Sequence, residues 1–122
     1  MSLHVLVVED NRDGADMMKL MLELMGHDVA VAHNGVEGIR LARWFHPDAV
    51  ICDIGLPGLN GWDVARELRR NPVSPHTKLI AVSGYGTDED RIRSRQAGFD
   101  CHLVKPAEPE TLQKCLCEPW NG

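Results

Sequence analysis

Four short apolar runs each stop on a polar residue: Val5-Leu6-Val7-Val8 on Glu9-Asp10, Ala49-Val50-Ile51-Cys52 on Asp53, Leu79-Ile80-Ala81-Val82 on Ser83, and Leu103-Val104 on Lys105. Runs of this length between helix-periodic stretches read as buried parallel strands, because strands covered on both faces lose the apolar-polar alternation of a half-exposed sheet. Parallel strands of one sheet bring their C-terminal ends to a single edge. Three carboxylates, a hydroxyl and an ammonium therefore meet there, and open α/β sheets bind their ligands at that edge, where the strand order reverses.

The stretches between the runs have helical spacing. From Arg12 to Met25, residues Met17, Leu20, Met21 and Leu24 recur at i, i+3, i+4 and i+7, and Gly26 stops the pattern. These methionines read as core filling. A second helix opens at Asn34-Gly35, presents Val36, Ile39 and Ala42 to the core and is closed by Pro47; before it, Asp28 to Ala32 alternates like an edge strand. The third follows the turn Leu56-Pro57-Gly58-Leu59-Asn60-Gly61 and buries Trp62, Ala65 and Leu68. The fourth starts at Thr87-Asp88-Glu89-Asp90, a variant of the capping box, and its body, Arg91 to Gln96, has a single strong apolar anchor. Few anchors mean a loosely held helix. The fifth runs from Glu108 to Cys117 with Leu112, Cys115 and Leu116 inward, ending before Pro119.

The order β-α repeated five times, with crossovers long enough for right-handed connections, predicts a flavodoxin-like, doubly wound α/β fold: a five-stranded parallel sheet in the order 2-1-3-4-5 with five helices. The 122 residues read as one domain, 1–122, large enough for a core without a disulfide or metal staple. No apolar run approaches the roughly 18 residues of a membrane span, and the first strand begins too early for a secretory signal. The formal charge of −5 argues against sequence-independent contact with nucleic acid, which needs a basic surface. Four cysteines without a CxxC pair read as buried thiols in a reducing cytosol, and the six histidines lack zinc-site spacing.

Three carboxylates at about 5 Å repel by roughly 3 kcal/mol per pair at an effective dielectric of 20. Lys105 offsets part of that. A hard cation with oxygen ligands offsets the rest, and Mg²⁺ suits one or two carboxylates plus waters and phosphate oxygens. An aspartate beside Mg²⁺, a hydroxyl and a lysine is placed to attack phosphorus, with the metal, Ser83 and Lys105 each on one equatorial oxygen.

Taken in order, Val7-Val8-Glu9-Asp10-Asn11, Asn34-Gly35, Pro47-Asp48 leading to Asp53, Leu56-Pro57-Gly58-Leu59-Asn60-Gly61, Ser83-Gly84 and Lys105-Pro106 resemble the receiver domain of bacterial two-component response regulators over essentially the whole chain. The resemblance implies that Asp53 is the phosphoacceptor. It implies that Glu9 and Asp10 are the acidic Mg²⁺ pair, joined by Asp53 and the backbone carbonyl of Gly55. Ser83 would be the switch hydroxyl, Lys105 the phosphate-contacting lysine, and the Lys105-Pro106 bond would be cis. It further implies a cytoplasmic phosphorelay module rather than an enzyme in its own right, although one that assists its own aspartyl phosphorylation and dephosphorylation. Any kinase activity would reside in another domain of a longer protein.

Two places depart from the commonest pattern. His102 stands where the family usually has a switch Tyr or Phe; it is either a half-buried strand histidine or a switch residue. Gly55 and Tyr85, two residues after Asp53 and Ser83, fall where the family controls water access to the phosphate. A haloacid-dehalogenase-like phosphatase is the enzymatic alternative, but it wants a second Asp where this chain has Gly55. A flavin module wants a Ser/Thr/Gly phosphate loop where this chain has Glu9-Asp10. The implied partner is a histidine kinase or histidine phosphotransfer domain, with no direct nucleic-acid or membrane contact by this domain. It would dock near Arg12 to Met18 and Pro106-Ala107, while output would use the fourth and fifth helices, where Arg91, Arg93 and Arg95 form a basic strip. The loops around Ser83 and His102 resemble receivers of hybrid histidine kinases; a stand-alone receiver is the other possibility.

Overall fold

The computed structural model describes residues 2–72, 76–84 and 86–117. Ten elements alternate: β1 (His4–Val8), α1 (Arg12–Leu24), β2 (Asp28–Ala32), α2 (Gly35–Phe45), β3 (Ala49–Asp53), α3 (Gly61–Arg70), β4 (Lys78–Ser83), α4 (Asp88–Ala97), β5 (Cys101–Val104) and α5 (Pro109–Cys117). All four strand pairings are parallel and the order is β2-β1-β3-β4-β5, as the alternation predicts. The order reverses between β1 and β3, so Glu9-Asp10 and Asp53 flank the switch point.

Successive strand residues point to opposite faces, and each face has its own core. Leu6, Val8, Val50, Cys52, Leu79 and Ala81 pack beneath α2, α3 and the end of α4; Val5, Val7, Ile51, Ile80, Val82 and Leu103 pack beneath α1 and α5 with Leu22, Leu112 and Leu116. Every residue of the first three apolar runs is buried, which is why those runs show no alternation.

One helix lies rotated from the sequence expectation, and a second departs from it at one residue. In α1 the buried residues are Ala15 and Leu22, with Met18, Met21 and Met25 packed at the edge, whereas Met17, Leu20 and Leu24 are 67%, 53% and 81% exposed. The helix carries two apolar stripes, and the sheet takes the one whose small Ala15 permits close approach. In α2, Ala42 and Ile39 pack on the core as expected but Val36 is 67% exposed; Gly38 lies against the sheet and Gly35 against Leu59 and Val64. A Cβ on Gly38 would stand 2.9 Å from Val8 Cγ2, so this face is chosen for its lack of side chain.

Other corrections are smaller. Ile92, the apolar anchor expected of α4, is 55% exposed; the residues that α4 buries are Ser94 and Ala97. Of the four cysteines only Cys52 is buried, Cys101 and Cys115 being intermediate and Cys117 exposed: Cys101 lies on the sheet's edge strand and Cys115 packs at the margin of the core. Thr87 does cap α4, its hydroxyl accepting from the Asp90 amide at 3.1 Å, while the complete reciprocal box belongs to Asn60 and Asp63 at the start of α3. Trp62 is half-buried rather than fully enclosed.

At the edge opposite the switch point, Arg69 joins three segments. Its guanidinium donates to Gly98 O at 2.9 Å, Thr77 O at 3.0 Å and Asp100 Oδ2 at 2.7 Å, tying α3 to the start of β4, the C-cap of α4 and the entry to β5. Gly98 closes α4 in the left-handed region at φ 114°, a conformation that costs glycine little.

Gly61 fixes the approach of α3 to the site strand. A Cβ there would meet Asp53 O and Ile54 Cα at 2.5 Å each, both backbone atoms that cannot swing aside. Gly61→Ala should therefore lower stability by about 1–3 kcal/mol, the range for an extra methyl forced into a packed interior. Urea unfolding measures it, and an unchanged midpoint would show that the helix start yields freely.

Candidate functional site

The strand ends deliver their polar residues to one place because the parallel registers align them: Val8 pairs with Cys52, and Asp53 with Val82. Lys105 Nζ lies between two of the acids, 2.7 Å from Glu9 Oε1 and 2.9 Å from Asp53 Oδ2. The two carboxylates are sheltered, at 12% and 11% side-chain exposure. Asp10 is exposed, yet it presents an oxygen to a trio with Glu9 and Asp53 in which all three ligand atoms lie within 4.8 Å. Three hard oxygen donors, two sheltered and one open to solvent, fit a hard divalent cation that keeps some of its own water. The Gly55 amide donates to Asp53 Oδ1 at 2.9 Å and fixes the carboxylate from its other side.

Electrostatics divide the acids. Burial raises Glu9; Lys105 opposes this, but neighbouring Asp53 adds to it, and the carboxyl stays above its ordinary range. Burial presses Asp53 the same way, but the hydrogen bonds from Lys105 and the Gly55 amide outweigh it and hold Asp53 below its ordinary range. Lys105 is penalised by burial, and its bonds to Glu9 and Asp53 more than restore it, leaving its ammonium above the usual lysine value. At neutral pH Asp53 is thus an ionised, oriented carboxylate. Cys52, directly beneath, is held as a neutral thiol by burial and by the charges of Asp53 and Glu9.

Ser83 ends β4 with its carbonyl accepting from the Lys105 amide at 2.7 Å, which locks the serine and lysine strand ends together. Its hydroxyl lies 2.8 Å from His102 Nε2. The other imidazole nitrogen, Nδ1, is 2.9 Å from Ser94 Oγ, and Ser94 Oγ also accepts from Trp62 Nε1 at 2.9 Å. His102 is therefore no isolated strand histidine: it joins the serine at the site edge to α4, and through α4 to α3. A neutral imidazole donates through one nitrogen and accepts through the other, so fixing the hydroxyl on one side fixes it on the other. Neither Ser94 nor the indole is legible as part of the site in sequence, since Ser94 sits among charged residues and Trp62 is 32 positions away.

The supposed basic strip of α4 is partly committed. Arg93 stacks on Trp62 with its guanidinium carbon 4.0 Å from the ring centroid, and Arg91 donates to His102 O at 3.2 Å. The Lys105-Pro106 bond is cis. Tyr85 lies outside the described residues.

Beside the carboxylates a groove of about 550 Å³ runs between α1 and the segment after β5, lined by Gly14, Met17, Met18, Met21, Pro106 and Ala107, with Glu9, Asp53 and Lys105 at its end. The exposed stripe of α1 borders it.

A raised Glu9 carboxyl favours folding most when protonated: its contribution is complete below the ordinary value of 4.5 and is lost as pH rises through the folded-state value. Asp53, held low, contributes in the opposite sense, present above 3.8 and lost as pH falls through its folded-state value. In metal-free protein Glu9→Gln should accordingly melt above the parent near pH 7, with the advantage shrinking toward about pH 3. Thermal melts in chelator across that range test it; a variant less stable near pH 7 than near pH 3, relative to parent, contradicts the assignment.

Residues 5–116 match the response regulator receiver domain family. Protein PilH of Pseudomonas aeruginosa is 35% identical over 112 residues, 92% of this chain and 93% of that protein. The receiver domain of sensor histidine kinase PA1611 from Pseudomonas aeruginosa PAO1, solved with a magnesium ion coordinated in the active site cleft, is 30% identical, covers 95% of each chain and superposes with a TM-score of 0.85. A response regulator from Burkholderia pseudomallei, solved with a phosphorylated aspartic acid and a calcium ion, is 26% identical over 93% of this chain and 65% of that one, with a TM-score of 0.85. No helix among the described residues is long and apolar enough to cross a membrane. With its strand order and its acidic switch point, the chain belongs to the response regulator receiver domains, the phosphoacceptor modules of two-component and phosphorelay signalling.

Proposed function

We propose that residues 1–122 are one cytoplasmic receiver domain whose Asp53 accepts the phosphoryl group of a phosphohistidine, carried by a histidine kinase or a histidine phosphotransfer domain. The observation that carries this reading is the ammonium of Lys105 seated between Asp53 and Glu9 at the edge where Ser83 ends β4. Mg²⁺ held by Glu9, Asp10, Asp53 and the Gly55 carbonyl would supply the charge neutralisation that lets an anionic carboxylate meet an anionic phosphoryl group. Asp53, ionised and oriented by the Gly55 amide, attacks phosphorus through the oxygen not bound to that amide. The P–O bond forms as the P–N bond breaks; that electron pair stays on the donor nitrogen, and the protonated phosphoimidazole leaves as neutral imidazole with its proton on the other ring nitrogen. Lys105 follows the charge from the carboxylate to a phosphoryl oxygen, and Ser83 turns its hydroxyl to another.

The donor must approach Asp53 in line, and the groove beside α1 leads to that carboxylate. Its methionines supply an adaptable apolar surface for a helical partner, consistent with docking on α1 near Arg12 to Met18 and on Pro106-Ala107. Output follows from the hydroxyl of Ser83. When Ser83 turns to the phosphoryl group its bond to His102 is exchanged, the imidazole's bond to Ser94 loses its counterpart, and α4, with few buried residues, shifts its packing. His102 thus serves as switch residue from an already engaged position rather than by being drawn in from outside.

Acetyl phosphate with Mg²⁺ should add one phosphoryl group to the parent and none to Asp53→Asn, read by intact mass. Equal labelling of the variant would remove Asp53 as acceptor. His102→Phe keeps a ring of similar size and deletes both hydrogen bonds. It should still accept phosphate, but beryllofluoride, an aspartyl phosphate mimic, should shift the amides of Asp88 to Gln96 by less than half as much as in the parent. A full response in His102→Phe would place the coupling to α4 elsewhere.

A further inference from the structure

On the α1–α5 side of the sheet two thiols meet that take no part in the phosphoacceptor chemistry. Cys101 opens β5 and Cys115 lies in the second turn of α5; both pack at the edge of the core that holds Leu103, Leu112 and Leu116. Their sulfurs are 2.6 Å apart although the residues are 14 positions apart in sequence. Chain neighbourhood does not force this contact: the crossover at 105–108 returns α5 across β5 and lays one side chain on the other. A disulfide requires backbones that already hold the two side chains together, and here the packing of α5 does so. The remaining cysteines are differently placed. Cys52 is 0% exposed beneath Asp53, and Cys117 is exposed, its sulfur accepting from Gln113 Nε2 at 3.2 Å.

We propose that Cys101 and Cys115 form a redox modification site, closing to an intramolecular disulfide under a peroxide oxidant and reopening under a thiol reductant. One thiol takes an oxygen from hydrogen peroxide, giving a sulfenic acid and one water. The second sulfur then attacks the first, the S–O bond breaks, and the oxygen leaves with the second thiol's proton as another water. Two thiols and one peroxide thus give one disulfide and two waters, each sulfur losing one electron and the peroxide gaining two. Burial, and after it the adjacent sulfur, push the Cys101 thiol up to about 12, so it keeps its proton at neutral pH and reacts with peroxide more slowly than an ordinary thiol. Closure encircles the segment bearing Lys105 and Pro106, linking the redox state to the stretch that supplies the ammonium of the phosphoacceptor site.

The test uses the full chain and Cys117→Ser, each reduced, desalted, treated with excess hydrogen peroxide, then unfolded in iodoacetamide. In Cys117→Ser only Cys52 should be alkylated, the peptides of Cys101 and Cys115 should appear joined after digestion, and dithiothreitol should restore all three thiols. The oxidised form should melt higher by on the order of 10 °C, as expected for closing a loop of about 15 residues. Cys115→Ser should lose both the bond and the gain in melting temperature. Should that variant melt early when reduced, Cys115→Ala serves in its place. Full alkylation of Cys101 and Cys115 after peroxide, a bond to Cys52, or dimers in place of the intramolecular bond would each overturn the proposal.

Discussion

Lys105 holds an ammonium between Glu9 and Asp53, and most of what surrounds the site answers to that contact. Two carboxylates about 5 Å apart repel by roughly 3 kcal/mol at an effective dielectric of 20, and a third stands beside them. One lysine cannot neutralise three acids. The imbalance shows in the two sheltered carboxyls: Asp53 keeps the better hydrogen bonds and stays low, whereas Glu9 is pushed up. The site is an edge short of positive charge, open on the side of Asp10, and its appetite for a divalent cation follows from that deficit.

The contacts that run from this edge to α4 and α3 are polar. Ser83, His102, Ser94 and Trp62 form a chain of contacts between 2.8 and 2.9 Å. Ser94 is 1% exposed and satisfied on two sides. A buried hydroxyl left without partners is costly, on the order of 1–3 kcal/mol. Such a chain therefore favours discrete arrangements over graded ones, because an imidazole or serine caught between partners satisfies neither.

How far the sequence discloses this architecture depends on the kind of signal involved. The strands and their order are legible because Val5 to Val8, Ala49 to Cys52 and Leu79 to Val82 have no alternation to confuse with a surface sheet, and the acids, serine and lysine stand at their ends. The face of α1 is not, nor is the place of Val36 on α2. Met17, Leu20 and Leu24 make as good a stripe as Ala15, Met18 and Leu22, and periodicity alone cannot say which one the sheet accepts; the decision rests on how near a backbone can come, as with Gly38 against Val8. The polar chain through Ser94 and the meeting of Cys101 with Cys115 depend on contacts between distant segments, and no local pattern announces them.

The guanidinium of Arg69 gives α4 an asymmetry along its length. It grips the C-cap carbonyl of Gly98 together with Thr77 O and Asp100, so that end of the helix is moored to three segments at once. The first turn, near Asp88, has the Thr87 cap and exposed acids, and further ties begin only at Arg91, on His102 O, and Arg93, on Trp62. A rod moored at one end moves as a lever with its fulcrum at the mooring. At 1.5 Å per residue, ten residues make an arm of about 15 Å, and a tilt of about 5° at Gly98 carries the Asp88 end through roughly 1.3 Å. The largest travel falls on the first turn, so such a tilt displaces the exposed carboxylates of Asp88 and Glu89 the most.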